Sequence, residues 1–208
     1  MACFVIAPAR LARAGAIGLT PTPGGFGTPP LPDGTTIEVR GSELVHGDRG
    51  APLTTLRDAA ALVGIELSAT PDVGRDLPPF EPDAALVVDM AVARELADWF
   101  ARGANALIRV DAGDGSASAA TLWPEHFDVA ITIELPAGAG MTIGFSPGDG
   151  TSDEPYAYVA PWDRSGLDGP FWNAPFGALR TRHDVGTDAA VDAFLAEGID
   201  LVRSRQGS

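Results

Sequence analysis

Residues 121–163, TLWPEHFDVAITIELPAGAGMTIGFSPGDGTSDEPYAYVAPWD, read as strand, tight hairpin, strand, polar loop and third strand. From Trp123 to Leu135 the odd positions are Trp, Glu, Phe, Val, Ile, Ile, Leu, and the even ones Pro, His, Asp, Ala, Thr, Glu. Side chains two apart share a face of a strand, so this alternation predicts one half-buried strand over 123–135. The glycines of PAGAG suit a hairpin connection. With Leu135 opposite Met141, Ile133 lies by Ile143 and Ile131 by Phe145. That register carries SPGDG alongside His126 and Asp128, and Tyr156 and Tyr158 return on the third strand.

Outward from this unit the chain alternates short strands with helices. An apolar start at 4–14 predicts a short helix, in which Pro8 is tolerable only near the first turn. TPTPGGFGTPPLPDG can only be a loop or an interrupted edge strand. TTIEVRGSELVHG reads as a strand or short hairpin, since Ile37 and Val39 alternate with Glu38 and Arg40. Thr54 or Thr55 is placed to cap a helix that runs to Val63 and stops at Gly64. Residues 85–88 make a brief strand or the lead-in to the next helix. Val92, Leu96, Trp99, Gly103 and Leu107 form one stripe of a helix over 89–110. Val191, Phe194, Leu195, Gly198 and Val202 form another from about Thr187. Strands in direct succession flanked by helices indicate an α+β fold, with a largely antiparallel sheet packed by helices on one face. The 208 residues are expected to form a single domain, with a Pro/Gly-rich surface connection around 68–82.

Composition narrows the function classes. The net charge is -14, and all 14 basic residues are Arg. A nucleic-acid backbone is bound by releasing counterions to clustered cations, so a nucleic-acid partner is not expected. Without lysine there is no Schiff-base or Walker-type chemistry. One cysteine, Cys3, excludes disulfides within the chain and multi-cysteine zinc sites. The start has an apolar run before its arginines, the wrong order for a signal peptide, and no run approaches a membrane span of about 20 residues. A cytoplasmic location without membrane association is therefore expected.

Chemistry-bearing residues gather near one end of the 121–163 unit. Glu125 falls on the apolar face of the expected strand, where a carboxylate must find donors, take up a proton, or lie beyond the core. His126 and Asp128, two apart, would project from one face with Cα atoms about 6.6 Å apart. Such a pair suits a histidine base oriented by a carboxylate, or two metal ligands; a solvated His–Asp hydrogen bond is the bland alternative. Glu125, His126 and Asp128 are thus the catalytic candidates. Ser146, Asp149, Tyr156, Tyr158 and Trp162 are the ligand-binding ones. A divalent metal, if the site takes one, would use His126, Asp128 and Asp149. GGFG at 24–27 lacks phosphate-loop spacing, and GFSPG around Ser146 is not a nucleophile elbow. Trp162, Phe171, Trp172 and Phe176 are placed either to line an apolar pocket or to plug the sheet end.

WPEHFD, SPGD, EPY-x-YV-x-PW and FWNAPFGA, with TPGGFGTP near the start, resemble a family of uncharacterised, mostly actinobacterial proteins. The resemblance spans most of the chain. It implies one integrated domain in a bacterial cytoplasm and lends no catalytic residues. The reading is therefore a domain that binds a small polar molecule at the sheet end formed by 123–128 and 145–158. The alternative is a small hydrolase or isomerase, metal-dependent or not, using Glu125 or the His126–Asp128 pair as acid and base.

Overall fold

Where the chain carries capping chemistry, the helices stand where the sequence puts them. The Thr55 hydroxyl accepts from the Asp58 N–H, and Gly64, at φ 73°, ends the helix Leu56–Val63. Thr187 caps Asp188–Ser204 in the same way through the Ala190 N–H. The computed structural model describes residues 1–74 and 77–205, so residues 75 and 76 of the 68–82 connection lie outside the described residues. The helices are α1 (Ala7–Ala14), α2 (Leu56–Val63), α3 (Met90–Ile108) and α4 (Asp188–Ser204). A wider π-helical turn, Ala2–Ile6, precedes α1, and every one of its residues is buried. Residues 85–88 are a lead-in to α3 rather than a strand.

The fold is α+β, and its strands pair antiparallel throughout, in two sheets rather than one. The chain divides into two compact units, Met1–Ala101 with Leu122–Phe127, and Arg102–Thr121 with Asp128–Ser208. In the first unit, β1 (Thr20–Thr22), β2 (Gly25–Gly27), β3 (Ile37–Arg40), β4 (Glu43–His46) and β5 (Arg49–Pro52) form a meander in chain order. Pro21 sits on the outer strand, where its missing N–H breaks no ladder. Ile37, Val39 and Leu44 bury their side chains, while Glu38 and Arg40 pair on the other face. The first turns of α3 bring Ala93, Leu96, Ala97 and Phe100 against Phe26 and Val39.

In the second unit the strands are β6 (Ser116–Ala117), β8 (Asp128–Glu134), β9 (Gly140–Ser146), β10 (Tyr156–Pro161) and β11 (Ala178–Thr181). Their order is β11-β10-β9-β8-β6. The short strand β7 (Thr121–Trp123) lies where the chain passes between the units. One face of this sheet carries Val129, Ile131, Ile133, Ile143, Phe145 and Val159, all essentially buried. Burying a side chain such as Phe145 contributes roughly 1.5–3 kcal/mol. The helices reach this face through glycine. A methyl group at Gly103 of α3 would lie 2.5 Å from Phe145, and one at Gly198 of α4 would lie 2.7 Å from Val159. Both glycines belong to the stripes read from the sequence; they mark where backbone meets sheet. Arg102–Asp188 and Arg109–Asp192, at 2.8 and 2.7 Å, tie the two helices together beyond that core.

The hairpin register differs from expectation by two residues. Ile133 pairs with Met141, Ile131 with Ile143, and Val129 with Phe145. A helical turn at Pro136–Gly138 lengthens the connection, and the Leu135 N–H closes it on the Ala139 carbonyl. A slip of two preserves which face each side chain takes, so the apolar core is the one foreseen.

The strand itself starts later than foreseen. Residues 124–127 form a turn closed by the Phe127 N–H on the Trp123 carbonyl at 2.8 Å, with Phe127 at φ 52°. A bulky residue in the left-handed region costs about 1–2 kcal/mol. Packing offsets this, for the Phe127 ring meets Phe26 and Phe100 edge-on with centroids 4.9 and 5.4 Å apart.

Candidate functional site

The polar face of the second unit's sheet begins with Asp128 on β8. Continuing the register of Val129 with Phe145 sets Asp128 across from Ser146, and Ser146 is itself paired with Tyr156 on β10. Tyr158 pairs with Gly144, which has no side chain to block the strand it faces. A methyl group at Gly144 would lie 2.7 Å from the Tyr158 hydroxyl oxygen, so the phenol lies across this glycine. The Tyr158 O–H reaches beyond it to donate to Asp128 Oδ2.

Tyr156, two residues away on the same face, donates to Asp149 Oδ2 at 2.7 Å. Asp149 belongs to the 147–155 loop, which is held by its own short-range bonds. The Thr151 N–H donates to Asp149 Oδ1 at 2.7 Å, and the Asp149 N–H donates to the Ser152 carbonyl at 2.8 Å. Phe176 closes the group, with its ring 6.4 Å from Tyr156 and 6.0 Å from Tyr158, centre to centre.

The environment sets the protonation of these groups. Burial, and then donation to Asp149, push the Tyr156 phenol up to about 12. Burial, and then the charge of Asp128 and the bond to it, raise Tyr158 above the ordinary tyrosine value. Burial works to raise the Asp149 carboxyl, but the bonds from Tyr156 and Thr151 outweigh it and hold the group below its ordinary value. Both phenols are therefore neutral donors around pH 7, with oxygen lone pairs still able to accept. At that pH they are not bases.

Five of the residues singled out from sequence thus share one face: Asp128, Ser146, Asp149, Tyr156 and Tyr158. Trp162 does not join them. It follows the far end of β10, its N–H on the Gly140 carbonyl, and its ring covers Gly140. At a strand rise of about 3.3 Å per residue it stands ~20 Å from Tyr156. The antiparallel pairing of β9 and β10 puts it at the hairpin end.

Glu125 and His126 belong to the first unit, in the 124–127 turn. The turn removes Glu125 from the apolar face of a strand, and the anomaly read there dissolves with it. Its side chain lies over Gly74, where a methyl group would fall 1.9 Å from Glu125 Oε2. The Cys3 thiol donates to the neighbouring Pro124 carbonyl at 2.9 Å. Burial raises the Cys3 thiol above its ordinary value, which holds it protonated and inert. The His126 side chain is 67% exposed, with Nε2 3.5 Å from Glu125 Oε1. Off the strand, the two-residue spacing no longer places it on the face of Asp128.

Among the described residues no three His, Cys, Asp or Glu side chains gather closely enough to hold a metal ion. Of the metal ligands read from the sequence, His126 belongs to the first unit and Asp128 and Asp149 to the second. Phe176 was foreseen only as one of several loop aromatics, and the Tyr–Asp pairing was not foreseen. The signal for it was present, in Tyr156 and Tyr158 at strand spacing and a glycine two residues before Ser146. Among the described residues no helix is long and apolar enough to cross a membrane. Compared with protein-family models, curated proteins and solved structures, the chain finds no match.

Proposed function

We propose that this protein binds a small polar molecule at the sheet end formed by Asp128, Ser146, Asp149, Tyr156 and Tyr158. The observation that carries the reading is the pair of Tyr–Asp hydrogen bonds converging with Ser146 on one face. Two carboxylates and two neutral phenol oxygens make that face rich in acceptors, which selects a ligand bearing N–H or O–H donors. Phe176 supplies an apolar wall. The setting that accompanies this reading is a bacterial cytoplasm, with no nucleic-acid partner. The net charge of -14 and the free, buried Cys3 accord with it.

A second reading, a hydrolase or isomerase, keeps one observation in its favour: the exposed His126 imidazole beside the Glu125 carboxylate. Native mass spectrometry of the purified chain, run beside elemental analysis, separates the two. A co-purifying organic molecule, lost in Tyr158→Phe with an unchanged far-ultraviolet spectrum, supports binding at the Tyr–Asp face. If the ligand survives Tyr158→Phe and Asp128→Asn, or the chain is empty and no polar metabolite raises its melting temperature, the binding reading fails. Turnover abolished by Glu125→Gln or His126→Ala would establish the enzyme instead.

A further inference from the structure

Arg180 occupies an unusual place in the second unit. It pairs with Ala157, which is fully buried, so its side chain leaves β11 on the apolar face of the sheet. There the guanidinium lies over the rings of Phe171 and Phe194, 5.4 and 5.2 Å from their centroids. Its Nη1 donates to the Leu179 carbonyl at 2.8 Å. Two stacked rings and one backbone bond thus fix the planar fork in place. Among the described residues Arg180 makes no ion pair, whereas Arg57, Arg102 and Arg109 each hold an aspartate.

The guanidinium opens onto a recess of about 310 Å³ lined also by Asp168, Pro170, Phe171, Glu197 and Leu201. Asp168 and Glu197 are exposed and, among the described residues, unpaired with any cation. The lining thus combines a fixed cation with two carboxylates and apolar surface.

We propose that this recess binds a small zwitterion, a molecule joining an ammonium and a carboxylate as a free amino acid does. The carboxylate meets the Arg180 fork, for which a planar guanidinium is the matching partner. The ammonium lies toward Asp168 and Glu197, and the carbon skeleton rests on Phe171 and Leu201. A simple anion is disfavoured by the two carboxylates and by the net charge of -14. A simple amine is disfavoured by Arg180. The site lies on the opposite face of the sheet from the Tyr–Asp cluster, so it stands or falls independently of that reading.

Amide chemical shifts of the isotope-labelled full chain, recorded with a mixture of the common L-amino acids, test this. At least one component is expected to move the amides of Phe171, Arg180, Glu197 and Leu201. Its affinity is expected to fall about tenfold or more in Glu197→Gln, which alters one exposed side chain of α4, and in Arg180→Gln. N-acetylation or esterification of that amino acid should weaken it by a similar factor. An absence of shifts with the mixture overturns the proposal. So does an N-acetylated form that binds as tightly as the free amino acid, or full affinity in Glu197→Gln.

Discussion

Tyr158 illustrates how much one side chain depends on a neighbour that has none. Its phenol reaches Asp128 only because position 144 is glycine, and the bond, with burial, keeps it protonated far into the alkaline range. The chain has two tyrosines, Tyr156 and Tyr158, so an alkaline absorbance titration reads this site and nothing else. Little phenolate is expected as pH passes the ordinary value of 10.0, with Tyr156 ionising near 12 and Tyr158 later or on unfolding. The sign for stability follows from linkage. A raised folded pKa means the native state binds more protons, so stability is complete below pH 10.0 and falls as pH rises toward about 12. Tyr156→Phe and Tyr158→Phe should each flatten that alkaline loss in denaturant melts. A full phenolate signal near pH 10 in the folded protein would show that the phenols are neither buried nor paired.

At the scale of elements, β11 is an edge that the protein has covered with side chains. The Arg182 N–H bonds the Pro155 carbonyl, and alternation then turns the Leu179 and Thr181 backbone groups outward. The carboxamide of Asn173 occupies both groups of Leu179, accepting from its N–H at 2.9 Å and donating to its carbonyl at 3.2 Å. Asp184 takes the Thr181 N–H at 2.9 Å. Unprotected edges recruit other chains, and side chains that mimic the missing strand prevent it. Asn173→Ala should cost about 1–2 kcal/mol in folding stability, for two hydrogen bonds near the surface. It should also produce concentration-dependent association, seen as a rising mass in light scattering. A variant that stays monomeric at high concentration would show that the edge needs no such cover. The helices were legible because their stop and start signals are local: Thr55, Gly64 and Thr187 act on their own backbones. The 124–127 turn was not legible. Its residues alternate as a strand would, and only the seat of the Phe127 ring between Phe26 and Phe100 holds the backbone out of that conformation.

For the molecule as a whole, the threading of the chain matters more than its length. The path enters the second unit after Ala101, returns for Leu122–Phe127, and leaves again at Asp128. Leu122 is fully buried and bridges to Leu19 through two backbone bonds of 2.7 and 2.9 Å. The first unit therefore borrows part of its core from a later stretch of sequence. A fragment of residues 1–101 alone should be largely unfolded by circular dichroism, while the complete chain is expected to melt in a single calorimetric transition. A fragment that folds with a native-like melting temperature would refute this borrowing.

Sequence alone determined the α+β class, the antiparallel pairing around PAGAG, the caps of α2, the start of α4, and the face each side chain of β8 and β9 presents. These follow from periodicity and from residues that act within a turn or two of themselves. The polar end of the sheet was also in view, because Tyr156 and Tyr158 share a face by spacing and Asp128 and Ser146 begin and end paired strands. Tertiary structure decided the rest. It divided the strands into two sheets, moved the register by two, and sent Glu125 and His126 into a turn with Trp162 at the opposite end of β10. The register follows from the helical turn at Pro136–Gly138, whereas the turn that holds Glu125 and His126 depends on a distant surface, as Phe127 meets Phe26. Contacts of that kind are stabilised only when the whole chain has closed, and no local pattern encodes them.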